Sequence, residues 1–194
     1  MAKADPEATK REKLKNVRWV VTIFFVTILI SGTISLLSDV LMAGSSMAVA
    51  FLILLMIIFI GIIFDIIGMA VATAEEKPFH AMAARKVPGA KEAIRLLRNA
   101  ERVSSICNDV VGDICGVVSG SASATIAAQI LSNFEFTWPQ IISLAMSALA
   151  AGLTVGGKAI GKSFAVNSCV TIVHTVGKIL YQLNHLTGKH RKKK

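Results

Sequence analysis

The stretch Ser104 to Ala128, SSICNDVVGDICGVVSGSASATIAA, is apolar enough to enter a bilayer yet carries Asn108, Asp109 and Asp113. Residues at i and i+4 lie on one face of an α-helix, so Asp109 and Asp113 are predicted to project together. A carboxylate at the bilayer centre costs roughly 2.5–3.5 kcal/mol on insertion scales, so neither is expected to face lipid. A third acid, Asp65, lies in the other most apolar run, Phe51 to Ala74. The pattern predicts one polar site, assembled from two helices inside the membrane and facing protein, water or a cation.

Composition sets the class. Hydrophobic residues make up 54% of the 194-residue chain and charged residues 17%, with a mean hydropathy of +0.63. These values belong to integral membrane proteins. A helical span needs about 20 mostly apolar residues. Four runs qualify: Trp19 to Leu41, Met47 to Ala74, Ser104 to Leu131 and Trp138 to Val155. They leave no room for a separate soluble catalytic domain. Cys107, Cys115 and Cys169 are odd in number and form no C-x-x-C, so neither a disulfide framework nor a zinc site is predicted.

Residues 1–18 are polar and carry Lys3, Lys10, Arg11, Lys13, Lys15 and Arg18. Basic residues beside a span mark the cytoplasmic side, and Trp19 stands where an aromatic interface anchor belongs. The apolar run that follows exceeds the roughly 7–15 residues of a signal-peptide core, so an uncleaved anchor is expected, although Ala43, Gly44 and Ser45 would suit a peptidase. The short link Ala43 to Ser46 makes the first two spans an antiparallel hairpin, with Ser46 as a helix cap. Gly61, Asp65 and Gly68 in the second span signal a tilt, a kink or a cavity lining.

Residues 75–102 change character, with Lys77, Arg85, Lys86, Lys91, Arg95, Arg98 and Arg102 making the segment cytoplasmic by the positive-inside rule. Pro78, Pro88 and Gly89 cut it into two short pieces, and Ala90 to Ala100 reads as a helix on a membrane surface or as a solvated linker helix. In the third span Gly112, Gly116 and Gly120 recur at every fourth position, a spacing that lets helices pack closely or self-associate in lipid. Ser132 to Gln140 carries aromatics and no basic residue, which suits the outer interface, with Pro139 at a helix start. Gly156, Gly157 and Gly161 are expected to break the helical pattern after the fourth span. A partly amphipathic helix, Ser163 to Leu186, then precedes the basic end GKHRKKK.

The expected fold is therefore an all-α integral membrane protein. It has four transmembrane helices, a cytoplasmic connecting helix and a C-terminal amphipathic helix. The divisions are a basic cytoplasmic N-terminus (1–18), an additional first transmembrane helix (19–45), a transmembrane core (46–162) and the C-terminal helix and tail (163–194). Both termini are expected in the cytoplasm, in keeping with an even number of spans.

From about residue 50 to residue 185 the chain resembles the transmembrane domain of the CNNM/CorC magnesium transporters. The segment FDIIGMAVATAEEKPFHAMAARKVPGAKEAIRLLRNAERVSSICNDVVGDI follows the order and spacing of that family's F-S-G-x-E-T-A, basic stretch, L-L-x-N-x-x-R and G-N-N-x-V-N motifs. Leu96, Leu97, Asn99 and Arg102 stand at the third motif, and Cys107, Asn108, Asp109 and Gly112 at the fourth. GGKAIGKSFA resembles the later F-G-E-x-x-P-K-S-L-A, keeping Gly157, Lys162 and Ser163. Asp65 replaces the family serine, Gly68 and Lys158 replace its two glutamates, and Gly161 replaces the proline. The sequence adds a first span and stops where family members continue into a nucleotide-binding CBS-pair module, so no regulation of that kind is expected.

The resemblance implies a magnesium site in an inward-facing cavity between the first two core helices. Oxygen ligands from Asp65, Asn108 and Asp109, with Asp113 and Ser105 or Ser104 as further candidates, suit Mg2+ completed by waters. The competing expectation pairs Asp109 or Asp113 with Lys158 or Lys162 as a buried structural ion pair. Two functions follow. One is a homodimeric transporter that moves Mg2+ or another cation by alternating access. The other is a non-transporting membrane scaffold or regulatory protein that uses its basic cytoplasmic segments to hold a partner protein or anionic lipid. No enzyme is expected, because His80, His174, His185 and His190 join no catalytic or zinc pattern. The net charge of +9 sits beside the spans, where topology and lipid explain it, so nucleic acid is not an expected partner.

Overall fold

In hydrocarbon a backbone must satisfy its own amides, and long runs of Leu, Ile, Val and Ala do so as α-helices. The computed structural model describes residues 6–133 and 138–186 and is helical throughout its ordered elements. The helices are α1 (Pro6–Ala43), α2 (Met47–Thr73), α3 (Lys77–Ala84), α4 (Ala90–Arg98), α5 (Ala100–Ser105), α6 (Asp113–Asn133), α7 (Pro139–Asn167) and α8 (Cys169–Leu186). A π-helical segment, Ile106–Gly112, joins α5 to α6. Four stretches are long and apolar enough to cross a membrane: Val17–Met42, Met47–Thr73, Ala100–Asn133 and Pro139–Asn167. They match the predicted spans in number and order, and the protein is a multi-pass membrane protein. Lys3 and the basic tail, like Phe134 and Phe136 of the aromatic link, lie outside the described residues.

Helix α2 is the centre of the bundle. It is apolar on every side, so hydropathy alone selects no packing face. Up to Gly68 the buried positions are Ala50, Leu54, Ile58, Gly61, Asp65 and Gly68, a single stripe at helical spacing. Below the α1–α2 turn, Leu54 and Ile58 join Met42, Ala122, Ile126 and Met146 in one apolar core. At the other end Ala70 and Val71 join Phe79, Leu97, Ala165 and Val173 in a second. Asp65 falls between the two.

Three features depart from the sequence expectations. Helix α1 begins at Pro6, inside the stretch read as a polar N-terminus. It also leans on α6 more than on its hairpin partner, through Ile23 and Ile34 against Val110, Ile114 and Val118. Finally, α7 runs unbroken past Gly156, Gly157 and Gly161 to Asn167, and the helix expected from Ser163 begins at Cys169. The reason is packing. Gly157 lies against Ile62 and Gly161 against Ile66 of α2, so these glycines remove side chains where two helices touch. Of the regularly spaced glycines on the third span, Gly112 packs internally, whereas Gly116 and Gly120 have nothing within 4 Å of a Cβ position among the described residues.

Helices α3, α4 and α8 gather at the end of the bundle where α2 finishes. Ser46 occupies the N-cap position of α2 but its side chain makes no capping bond. Arg102 lies 5.3 Å from the centroid of the Trp19 ring, tying α5 to the start of the first span. The α4–α8 junction is a backbone approach: Gly89 has φ 86° and caps α4, and a Cβ at Gly177 would sit 2.5 Å from its carbonyl oxygen. No side chain fits there. Gly177→Ala is expected to destabilise the protein by about 1–3 kcal/mol through overpacking against backbone. Gly116→Ala, facing open space, is expected to be neutral or stabilising by up to ~1 kcal/mol. Unfolding midpoints of both variants in one detergent check the contrast, and equal losses refute it.

Candidate functional site

The site is set by the seam between α2 and the π-helical segment. Gly68 faces Asn108 so closely that a Cβ there would overlap the amide oxygen. Gly61 faces Cys115, where a Cβ would lie 2.8 Å from the cysteine Cβ. Between these contacts Asp65, a residue only 5% exposed, enters the bundle. Gly112 closes the π segment and leaves space on the opposite wall. A Cβ there would lie 3.2 Å from Lys158 Nζ and 3.3 Å from Asp65 Oδ1.

Lys158 of α7 reaches into this space. Its Nζ is 3.5 Å from Asp65 Oδ1 and 4.0 Å from Asp113 Oδ1. Asp113 is 74% exposed at its side chain, against 6% for Asp65. The anticipated ion pair is therefore present in altered form: the deeply buried partner of Lys158 is Asp65, Asp113 is a loose outer partner, and Lys162 is exposed without an ion pair among the described residues. Asp65 Oδ2 and Asn108 Oδ1 are buried and accept no hydrogen bond among the described residues. A buried polar atom left unpaired costs about 1–3 kcal/mol, so a pair of them in one seam calls for a ligand, a water or a proton.

Asp109 stands apart. Its Oδ2 accepts a hydrogen bond from Ser105 Oγ at 2.8 Å, and Asn108 Nδ2 donates to Ser104 Oγ at 3.3 Å. With Ala72, Ala100, Glu101, Ser104 and Ser105, Asp109 lines a separate polar cleft of about 560 Å³. Asp109 and Asp113, four residues apart, take different partners: Asp109 is engaged by Ser105 and Asp113 lies toward Lys158. The five candidate residues thus divide: Asp65 and Asp113 beside Lys158, Asn108 against Gly68 of α2, and Ser105 with Asp109 in the cleft. Among the described residues no three His, Cys, Asp or Glu side chains gather as a metal-holding group. The role of Lys158 opposite Asp65 was not read from the sequence. A signal existed in Gly157 and Gly161, which flank the lysine and bring α7 onto α2.

Breaking a buried ion pair on one side strands the other charge. A double-mutant cycle between Asp65→Asn and Lys158→Met is expected to give a coupling of about 1–3 kcal/mol. The Asp113–Lys158 cycle is expected below about 1 kcal/mol, because the outer partner is exposed and 4.0 Å away. Equal couplings in chemical or thermal unfolding contradict this assignment.

No protein-family model, curated protein or solved structure matches this chain.

Proposed function

We propose that the protein is a membrane cation-handling protein of the transporter type, with its ion site at the α2–π–α7 seam. The observation that carries this reading is the pair of buried, undonated oxygens, Asp65 Oδ2 and Asn108 Oδ1, on facing helices inside the apolar bundle. Ionisable groups in spanning segments are expensive and typically serve ion or proton pathways. A π segment within a span is a frequent mark of a functional site. Hard oxygen donors suit Mg2+, which keeps several waters and takes only one or two carboxylates from its host. Asp65 and Asn108 fit that sparse set. Kinship with the CNNM/CorC transmembrane domain, proposed from the motif order, is consistent with this location.

In this reading the basic segment containing α3 and α4 faces the cytoplasm, as do both termini. Helices α4 and α8 lie at that interface, α8 as an amphipathic helix. The open positions at Gly116 and Gly120 are available to a second copy of the chain in a homodimer.

The competing reading is a non-transporting scaffold of the same fold, with its partner protein or anionic lipid at the basic face. It is favoured by Lys158, which neutralises Asp65 without any metal. Thermal unfolding of the purified protein during Mg2+ titration separates the two, because a ligand stabilises only the state that binds it. The transporter reading expects saturable stabilisation that disappears in Asp65→Asn and persists in Asp109→Asn, whose carboxylate belongs to the other cleft. A flat response in wild type and both variants, with folding intact, rejects ion handling and leaves the scaffold.

A further inference from the structure

The cation reading leaves Lys158 unexplained, since an ammonium beside a cation site opposes the cation it would admit. Its surroundings are unusual for a structural ion pair. At 3.5 and 4.0 Å, both contacts are longer than the roughly 2.7–2.9 Å of a charge-assisted hydrogen bond. They are also its only polar contacts among the described residues. Its side chain is 20% exposed, between a buried carboxylate on one side and an exposed one on the other. Asp65 keeps its second oxygen buried and without a donor, so the lysine does not complete the inner position.

We propose that Lys158 is a tethered counter-cation: it occupies Asp65 in the resting protein and swings to Asp113 when a divalent cation enters. This rests on the cation reading above. The geometry supplies each part. Asp65 is the inner berth, where burial makes an unpaired carboxylate costly, so the site is never left without positive charge. Asp113 is the outer berth, already within 4.0 Å of the ammonium. Gly112 lies against both Nζ and Asp65 Oδ1 and offers no side chain to block the swing. The flexible four-carbon stem of lysine suits a mobile charge better than the planar fork of arginine. Cation entry and lysine release are then one exchange. Resting occupancy by Lys158 lowers apparent affinity and keeps the site closed to water when no divalent ion is bound.

The test is Mg2+ binding to the full chain in detergent by isothermal titration calorimetry, comparing wild type, Lys158→Gln, Asp113→Asn and the double variant. The proposal expects Lys158→Gln to bind Mg2+ roughly tenfold more tightly, since the internal competitor is gone. Asp113→Asn weakens binding in the wild-type background, having removed the outer berth, but has no effect once Lys158 is glutamine. Equal affinities for wild type and Lys158→Gln overturn the counter-cation while leaving the ion site standing. An equal effect of Asp113→Asn in both backgrounds makes Asp113 a direct ligand and overturns the berth. Absence of binding in every protein overturns the cation reading and the counter-cation together. A second readout needs no variant: amine-specific acylation of Lys158, followed by mass spectrometry with exposed Lys162 as reference. Saturating Mg2+ is expected to raise Lys158 labelling; unchanged or reduced labelling while Mg2+ binds refutes the exchange.

Discussion

A carboxylate held inside an apolar bundle needs a positive charge or a donor close by, and the middle of this protein is arranged around that need at Asp65. Its desolvation is several kcal/mol if unanswered. The answer comes from a different helix, through Lys158 at 3.5 Å. For that contact to exist, α7 must lie close on α2, and the third span must yield space where the two charges meet. Gly157 and Gly161 provide the first condition and Gly112 the second. The charge pair and the glycines are therefore one feature of the fold.

Lipid removes the usual incentive for helices to associate, because hydrocarbon solvates leucine as well as another helix does. What remains is close packing and polar pairing. The contacts in this bundle follow that rule: Gly61 against Cys115, Gly68 against Asn108, and glycine against isoleucine between α2 and α7. Large apolar side chains such as Leu29, Leu144 and Ile160 point outward instead. The apolar cores at the two ends of α2 hold the helices in register, and the narrow polar seam lies between them.

Asp109 and Asp113 stand four residues apart at the π segment and take different partners. Asp113 turns to the seam, while Asp109 turns to a cleft beside α5 and the end of α2, held by Ser105. Next to the cleft residue Glu101 in sequence, Arg102 stacks on Trp19 and ties the first span to α5. The cleft carries two acids, Asp109 and Glu101. It lies next to the seam in sequence, on the same short segment, so a change in the winding of Ile106–Gly112 would move both.

The sequence by itself determined the solvent, the number of spans and the membrane-embedded acids. Those follow from run length and hydropathy, which need no knowledge of neighbours: Met47–Thr73 was legible almost to the residue, as was the break before Ala90 at Gly89. Asp65, Asn108 and Asp113 stood out because polar residues are costly in such runs. Only the tertiary structure decided which acid pairs with Lys158, that Asp109 belongs elsewhere, and that Gly156, Gly157 and Gly161 continue a helix. A glycine that ends a helix and one that admits a neighbouring helix are the same letter, and only the neighbour distinguishes them. Likewise α2 is apolar all round, so its inward face was chosen by the small and polar residues that fit α6 and α7, a property of the contact and not of the strand of sequence alone.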